Sequence, residues 1–254
     1  MPSGVVTFQR MFIRDLPHLK DSDVKLSQIK VNASPSAPFD NGAGMLKVIF
    51  TGELFGKSVL SWECFEDYEI QFFTNPEMIA SLLFCESLNA SEAIFIHGCG
   101  KFNRHSGNGK NFKWRGDFVD DTPLDNSGRK LISATAIDGL YYGEKFHLQF
   151  EEHAITREFR KAYVGFYHNR ADKSPPMAVC SGNWTCGEFK GSKHLKWLIQ
   201  LMACCFNGRD LLYCTSGDDK FVSQLNEMTN FINYHNITTG KTIELKLVGE
   251  VNRN

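Results

Sequence analysis

Apolar residues fall in short runs separated by stretches of helical periodicity, and this spacing predicts alternating strands and helices from residue 46 onward. Runs dense in β-branched and aromatic residues predict strands over 46–50, 69–73, 92–97, 130–137, 177–180 and 209–215. Asn75-Pro76-Glu77 opens a helix, with Asn as cap and Pro in the first turn, and MIASLLFCESL carries it on. Further helices are expected over 151–167, over 192–206 with Ser192 as cap, and over 219–234. Elements alternating at this length imply an α/β fold of three layers around one sheet. The Pro- and Gly-rich stretch VNASPSAPFDNGAGM, 31–45, reads as a loop, so 1–45 is expected to be an N-terminal arm and linker and 46–236 the main domain. In the arm, Val5, Phe8, Met11, Phe12 and Leu16 form one apolar stripe able to dock on the domain or on a partner. The tail, 237–254, reads either as an extra strand or as disordered chain.

Composition narrows the classes without choosing one. Apolar residues make up 42%, charged residues 22%, and the net charge is −1, which argues against a polyanion-binding surface spread over the whole molecule. No run of ~18 apolar residues predicts a membrane span, and MPSGVVTFQRMFIRDLPHLK lacks the apolar core of a signal peptide. The eight cysteines show no C-x-x-C spacing and sit mostly in apolar segments, so reduced thiols and an intracellular compartment, cytoplasmic or nuclear, are expected. Neither His97 with Cys99 nor Cys180 with Cys186 completes a zinc set at recognisable spacing; no metal and no cofactor are expected.

Three stretches carry candidate chemistry. TGELFGKS imitates a phosphate loop, but only Glu53, Leu54 and Phe55 separate Gly52 from Gly56, where the loop needs four residues to curl its N–H groups around a phosphate. The insert 98–126 interleaves Lys101, Arg104, Lys110, Lys113 and Arg115 with Phe102, Phe112 and Trp114, which suits either stacked single-stranded bases or a solvated loop with aromatic anchors. Asp117, Asp120 and Asp121 offset much of its charge. In VCSGNWTCGEFKGSKHLKWLIQL an apolar strand enters a segment with Gly182, Gly187 and Gly191 and a helix leaves it. That geometry brings backbone N–H groups and a helix N-terminus to one point and favours a diphosphate; a plain strand–helix turn is the alternative.

This last loop, GNWTCGEFKG over 182–191, resembles the GNWGCGAFGG loop of the poly(ADP-ribose) glycohydrolase family. The likeness is collinear: EIQFFTNPEMIASLLF resembles the family's EIRFLINPELIVSRLF, and Ala136-Ile137-Asp138, Lys161 to Phe166, Leu195 to Gln200 and Arg209 to Tyr213 have counterparts. It implies a macrodomain-like fold, a central mixed sheet flanked by helices. It also implies a ligand site at Gly56, Gly182, Asn183, Cys186, Gly187, Glu188 and Phe189. The family signature is GGG, six to eight residues, then QEE, whose last Glu protonates the oxygen leaving the ribose–ribose bond.

Anchored on EIQF, that signature becomes Gly56-Lys57-Ser58, eight residues, then Asp67-Tyr68-Glu69. Glu69 keeps the acid position, while its two neighbours are replaced. The family's DFAN becomes Ile49-Phe50-Thr51-Gly52, and two aromatic contacts become Asn108 and Ser216. If base-stacking values transfer, each lost face forfeits ~1–3 kcal/mol. The resemblance therefore implies a degenerate enzyme, leaning away from catalysis, that acts as a binding module with a protein partner and at most weak affinity for ADP-ribose or its polymer. An active glycohydrolase using Glu69 as acid, with Glu66 or Asp67 as second carboxylate, is the alternative. Single-stranded nucleic-acid binding through 101–115 is the third reading.

Overall fold

The computed structural model describes residues 4–20, 22–35, 43–60, 69–107, 111–169, 171 and 174–242. A seven-stranded sheet forms its centre. The strands are β1 (Thr7–Phe12), β2 (Val31–Ser34), β3 (Leu46–Thr51), β4 (Glu92–Gly98), β7 (Lys130–Asp138), β8 (Val179–Gly182) and β9 (Leu211–Cys214), and they lie in the order β1-β4-β7-β3-β8-β9-β2. β1, β4 and β7 pair antiparallel, and the pairs from β7 through β3, β8 and β9 to β2 are parallel. A separate hairpin joins β5 (Asn103–Ser106) to β6 (Lys113–Asp117). The sheet is mixed, as expected, and helices flank it.

Strand alternation sorts the core into two layers. Leu46, Val48, Ala93, Phe95 and Ile137 pack against α2 (Glu152–Gly165), α3 (Lys193–Asn207) and α4 (Asp219–His235). The intervening Ile49, Ile94, Ile96, Ala134 and Ala136 pack against Phe55, Val59, Phe72, Met78 and Leu88 on the opposite face. The long apolar stripe of α3 is wholly internal, since Leu195, Trp197, Ile199, Leu201, Met202 and Ala203 are all buried. Ser192 caps α3, accepting from the Leu195 N–H at 3.5 Å, and Gly208 closes it in the left-handed conformation.

Two expectations need correction. Residues 69–73 are no strand: α1 spans Ile70–Thr74. The Asn75 N–H closes the turn on the Gln71 carbonyl at 2.8 Å, and the Thr74 hydroxyl donates to Ile70 at 3.1 Å. The helix stops there because Pro76 drives Asn75 out of the helical region, to φ −126° and ψ 67°. The segment after Pro76 is a 3-10 helix over Pro76–Leu83 and does not reach residue 88; the Ser81 hydroxyl donates back to the Met78 carbonyl at 2.7 Å, an alternative to helix continuation.

The segment read as an arm supplies both edge strands, β1 and β2, from one chain crossing the helical face. Leu26 is buried in the core, and the Gln28 amide donates to the Cys205 carbonyl at 2.7 Å. Residues 36–42 and 243–254 lie outside the described residues, so the reading of the tail beyond 242 does too. Among the described residues no helix is long and apolar enough to cross a membrane.

The last turn of α2 presses so closely on β7 that a Cβ at Gly165 would stand 2.4 Å from Ile137 Cγ2. Gly165→Ala is expected to destabilise the domain by about 1–3 kcal/mol through overpacking. Denaturant unfolding checks this, with a lowered midpoint at unchanged slope as the expected outcome.

Candidate functional site

Because β7, β3, β8, β9 and β2 run parallel, their carboxyl ends meet along one rim, and ligands of open α/β sheets bind outside such ends. Thr51 and Asp138 close the register of β3 with β7; Gly182 and Cys214 close that of β8 with β9. The loop after β8 is a chain of tight turns. Trp184 N donates to the Gly182 carbonyl at 2.7 Å, Cys186 N to Asn183 at 3.1 Å, Lys190 N to Gly187 at 3.1 Å and Gly191 N to Thr185 at 2.9 Å. Thr185 and Lys190 adopt φ of 55° and 59°, which β-branched Thr seldom does, so the surrounding contacts hold the turn against its own preference.

Each predicted loop residue has a definite place. Gly182 ends β8, and its carbonyl accepts from Gln200 Nε2 at 3.1 Å. Asn183 turns inward: its amide donates to the Thr215 carbonyl at 3.1 Å and its oxygen accepts from the Tyr213 hydroxyl at 3.2 Å. Burial pushes the Cys186 thiol up to about 12, and it lies 3.3 Å from the Trp184 carbonyl. Gly187 and Glu188 are exposed, with open space where a Gly187 Cβ would stand. Phe189 meets the Tyr141 ring edge-on at 5.6 Å, and its carbonyl accepts from Tyr142 N at 3.1 Å. Gly139 went unpredicted, yet a Cβ there would come within 2.7 Å of Thr185, so the loop after β7 touches this turn.

Beneath the loop lies a buried ionic network. Arg157 donates to the carbonyl and carboxylate of Asp138 and to Glu158 at 2.7 Å. Lys161 Nζ stands 2.5 Å from Asp138 and donates to the Asn89 and Glu92 carbonyls, while Lys196 pairs with Glu158. Asp138, Glu158, Lys161 and Lys196 are all essentially sealed from water. The Lys196 ammonium also lies 3.9 Å from the ring of the buried Trp184. Burial and then the Arg157 charge push Lys196 well below the usual lysine range, and burial lowers Lys161. Spacing did not reveal this network, although charged residues inside the apolar stretches AITREFRKAYVGF and KHLKWLIQLM were its visible signal.

On the other side of β3, Gly56 takes φ 81° and its open face is filled: a Cβ would meet the Phe72 ring at 2.9 Å and Leu82 at 3.0 Å. It is a packing glycine of the turn. Glu69 precedes α1 and its side chain is fully buried. Glu66 and Asp67 lie outside the described residues, as does Asn108. At the end of β9, Ser216 and Gly217 turn with positive φ, and Asp218 caps α4 through Phe221 N at 3.0 Å while accepting from Lys193 at 2.8 Å. The helix N-termini of α3 and α4 thus open at the rim, where an anion is favoured. Among the described residues no group of three or more His, Cys, Asp or Glu side chains is placed to hold a metal ion.

The family model described as poly(ADP-ribose) glycohydrolase, macro domain fold, matches residues 16–223. The chain belongs to the poly(ADP-ribose) glycohydrolase family. It is 29% identical over 252 residues to poly(ADP-ribose) glycohydrolase 2 of Caenorhabditis elegans, covering 94% of this chain and 52% of that protein. It is 28% identical over 287 residues to the probable poly(ADP-ribose) glycohydrolase 2 of Arabidopsis thaliana, covering 94% and 54%. The same share of the chain matches poly(ADP-ribose) glycohydrolase 1 of Caenorhabditis elegans at 29% identity, covering 32% of that protein. The chain thus spans about half the length of the first two of these relatives.

Within this macrodomain Trp184 of the loop 182–191 rests on the Lys196 ammonium, and Lys196 is paired with Glu158 of α2. Removing that carboxylate strands a buried ammonium. Glu158→Ala is expected to cost about 3–5 kcal/mol in urea unfolding, and adding Lys196→Met to it should recover a large part. A single-variant cost below ~1 kcal/mol would show that the pair does not hold the loop.

Proposed function

We propose that this chain is a catalytically degenerate poly(ADP-ribose) glycohydrolase-type macrodomain that works by binding, with a protein as its principal partner and ADP-ribose as a weak ligand. One observation carries the reading: Glu69, at the position of the family's acid, has 0% of its surface exposed. General acid catalysis needs the carboxyl within hydrogen-bond reach of the leaving oxygen. A group shut away at the start of α1 does not offer that to a ligand on the rim.

Other features agree. The family's substrate-contacting Asn is Gly52 here, which leaves open space around its Cα. Asn183 spends its side chain on Tyr213 and Thr215, inside the fold. Ser216 is exposed and offers no ring for an adenine. For a protein partner, β1 is an edge strand, and beside it Phe12, Leu83 and Phe84 are 56%, 88% and 57% exposed. Arg10 ties the two segments together by donating to the Glu86 and Ser87 carbonyls. An open strand edge next to exposed apolar side chains is a surface natural proteins ordinarily cover.

The test is release of ADP-ribose from poly(ADP-ribose) at high protein concentration, with Glu69→Gln as control. The expected outcome is no release above that control. Turnover that Glu69→Gln abolishes, in a variant that unfolds at the same midpoint, would instead establish the divergent glycohydrolase.

A further inference from the structure

The β5–β6 hairpin has two chemically distinct faces. The register pairs His105 with Trp114, Ser106 with Lys113 and, across a shift that adds one residue to β6, Asn103 with Asp117, so paired residues share a side and successive pairs alternate. One side is aromatic: His105 stacks on Phe112 at 5.8 Å, Phe112 meets Phe73 at 5.8 Å, and the Trp114 N–H reaches Asn103 at 3.2 Å. That side faces α1. The other carries Arg104, Ser106, Lys113 and Arg115, with Arg115 donating to the Ser106 hydroxyl at 2.7 Å. Arg104, Lys113 and Arg115 are all exposed, and among the described residues none of them has an ion pair. Phe118, just beyond β6, has Arg104 at 5.9 Å and Lys101, which precedes β5, at 5.1 Å from its ring, so the cationic side extends past the hairpin itself.

In a chain of net charge −1, these three cations, without an ion pair among the described residues, share one side of the hairpin while Asp117 pairs in register with Asn103 of the other side, and they form a local positive surface. Its root adjoins the candidate site: Phe102 N donates to the Thr74 carbonyl at 2.8 Å and Asn103 Nδ2 to Phe73 at 2.7 Å, and these belong to the helix that Glu69 begins. We propose that this face binds the diphosphates of poly(ADP-ribose) units lying outside the rim, so that the polymer is held along the hairpin as well as at its end. The proposal rests on the reading of the chain as a binding macrodomain of this family. Two exposed arginines and a lysine supply charge-assisted donors to phosphate oxygens, with the Ser106 hydroxyl between them.

The partition of faces selects this polymer over single-stranded RNA. Base binding joins cations and stacking rings in one groove. Here Trp114 lies on the opposite side from the cations, and Phe118 is already covered by Lys101 and Arg104. Attraction on this face is therefore to charge.

The experiment compares the chain with an unaltered hairpin against an Arg104→Gln/Lys113→Gln/Arg115→Gln variant. Binding is measured to poly(ADP-ribose) of ~20 units, to ADP-ribose monomer and to a single-stranded RNA of matched charge, over a range of salt. Both proteins carry Glu69→Gln so that any hydrolysis does not consume the polymer. The expected result is a loss of tenfold or more in polymer affinity, with the unfolding midpoint and monomer binding unchanged. The slope of log K against log salt should fall by about 2, as three phosphate contacts at ~0.7 each require. Polymer affinity equal in the two proteins, or RNA bound as tightly as polymer, would overturn the proposal. Hydrolysis by the chain with Glu69 intact would sink the binding-module reading alone, since the hairpin comparison is made without it.

Discussion

A charged cluster sealed beneath the rim is what the rest of the structure depends on. Asp138 at the end of β7, Glu158 and Lys161 on α2, and Lys196 on α3 are packed out of water, and Arg157 closes the circuit at its half-open margin. Such a cluster contributes little net stability, because desolvating each ion offsets most of the attraction between them. What it contributes is geometry. Lys161 reaches the carbonyls of Asn89 and of Glu92 at the start of β4, Glu158 accepts from Leu140 N after β7, and Lys196 lies against Trp184 of the loop after β8. Three connections that chain sequence leaves far apart are thereby held in one register, since any shift would leave a buried charge unpaired.

The same constraint fixes the floor of the rim from inside the fold. The backbone turn 182–191 is fixed from below by buried partners, Lys196 under Trp184 and Gln200 on the Gly182 carbonyl. Gly187 still faces open space, and the capped starts of α3 and α4 still point to the rim. The described residues 51–60 lie on the opposite face of the sheet from that network. They are organised by apolar packing of Phe55 on Phe72, at 4.9 Å, and by Gly56 against the same ring.

Much of this was legible in the chain. β3, β4 and the second half of β7 are buried on both faces and read as dense apolar runs, and Ser192 and Gly208 bracket α3 as caps should. The edge strands β1 and β2 are short and half-exposed, so their runs carry too few apolar residues to stand out from a loop. Residues 69–73 read as a strand because Ile70, Phe72 and Thr74 all face inward; in a helix of only five residues the two periods cannot be told apart. The basic and aromatic residues of 101–115 looked interleaved for the same reason, and only the cross-strand register sorts them onto two faces. The loop after β8 is legible through its glycines, whereas the charges that pair beneath it, Asp138, Arg157 and Glu158, come from β7 and α2, distant in sequence, and left no spacing to find.

The account turns on where the Glu69 carboxyl stands relative to a sugar at the rim. A crystal structure of the chain with ADP-ribose tests this most directly. The account predicts a diphosphate lying along the 182–187 turn and the N-termini of α3 and α4, with every ribose oxygen beyond hydrogen-bond reach of Glu69. A terminal ribose oxygen within ~3 Å of that carboxyl, in water-accessible contact, would contradict it.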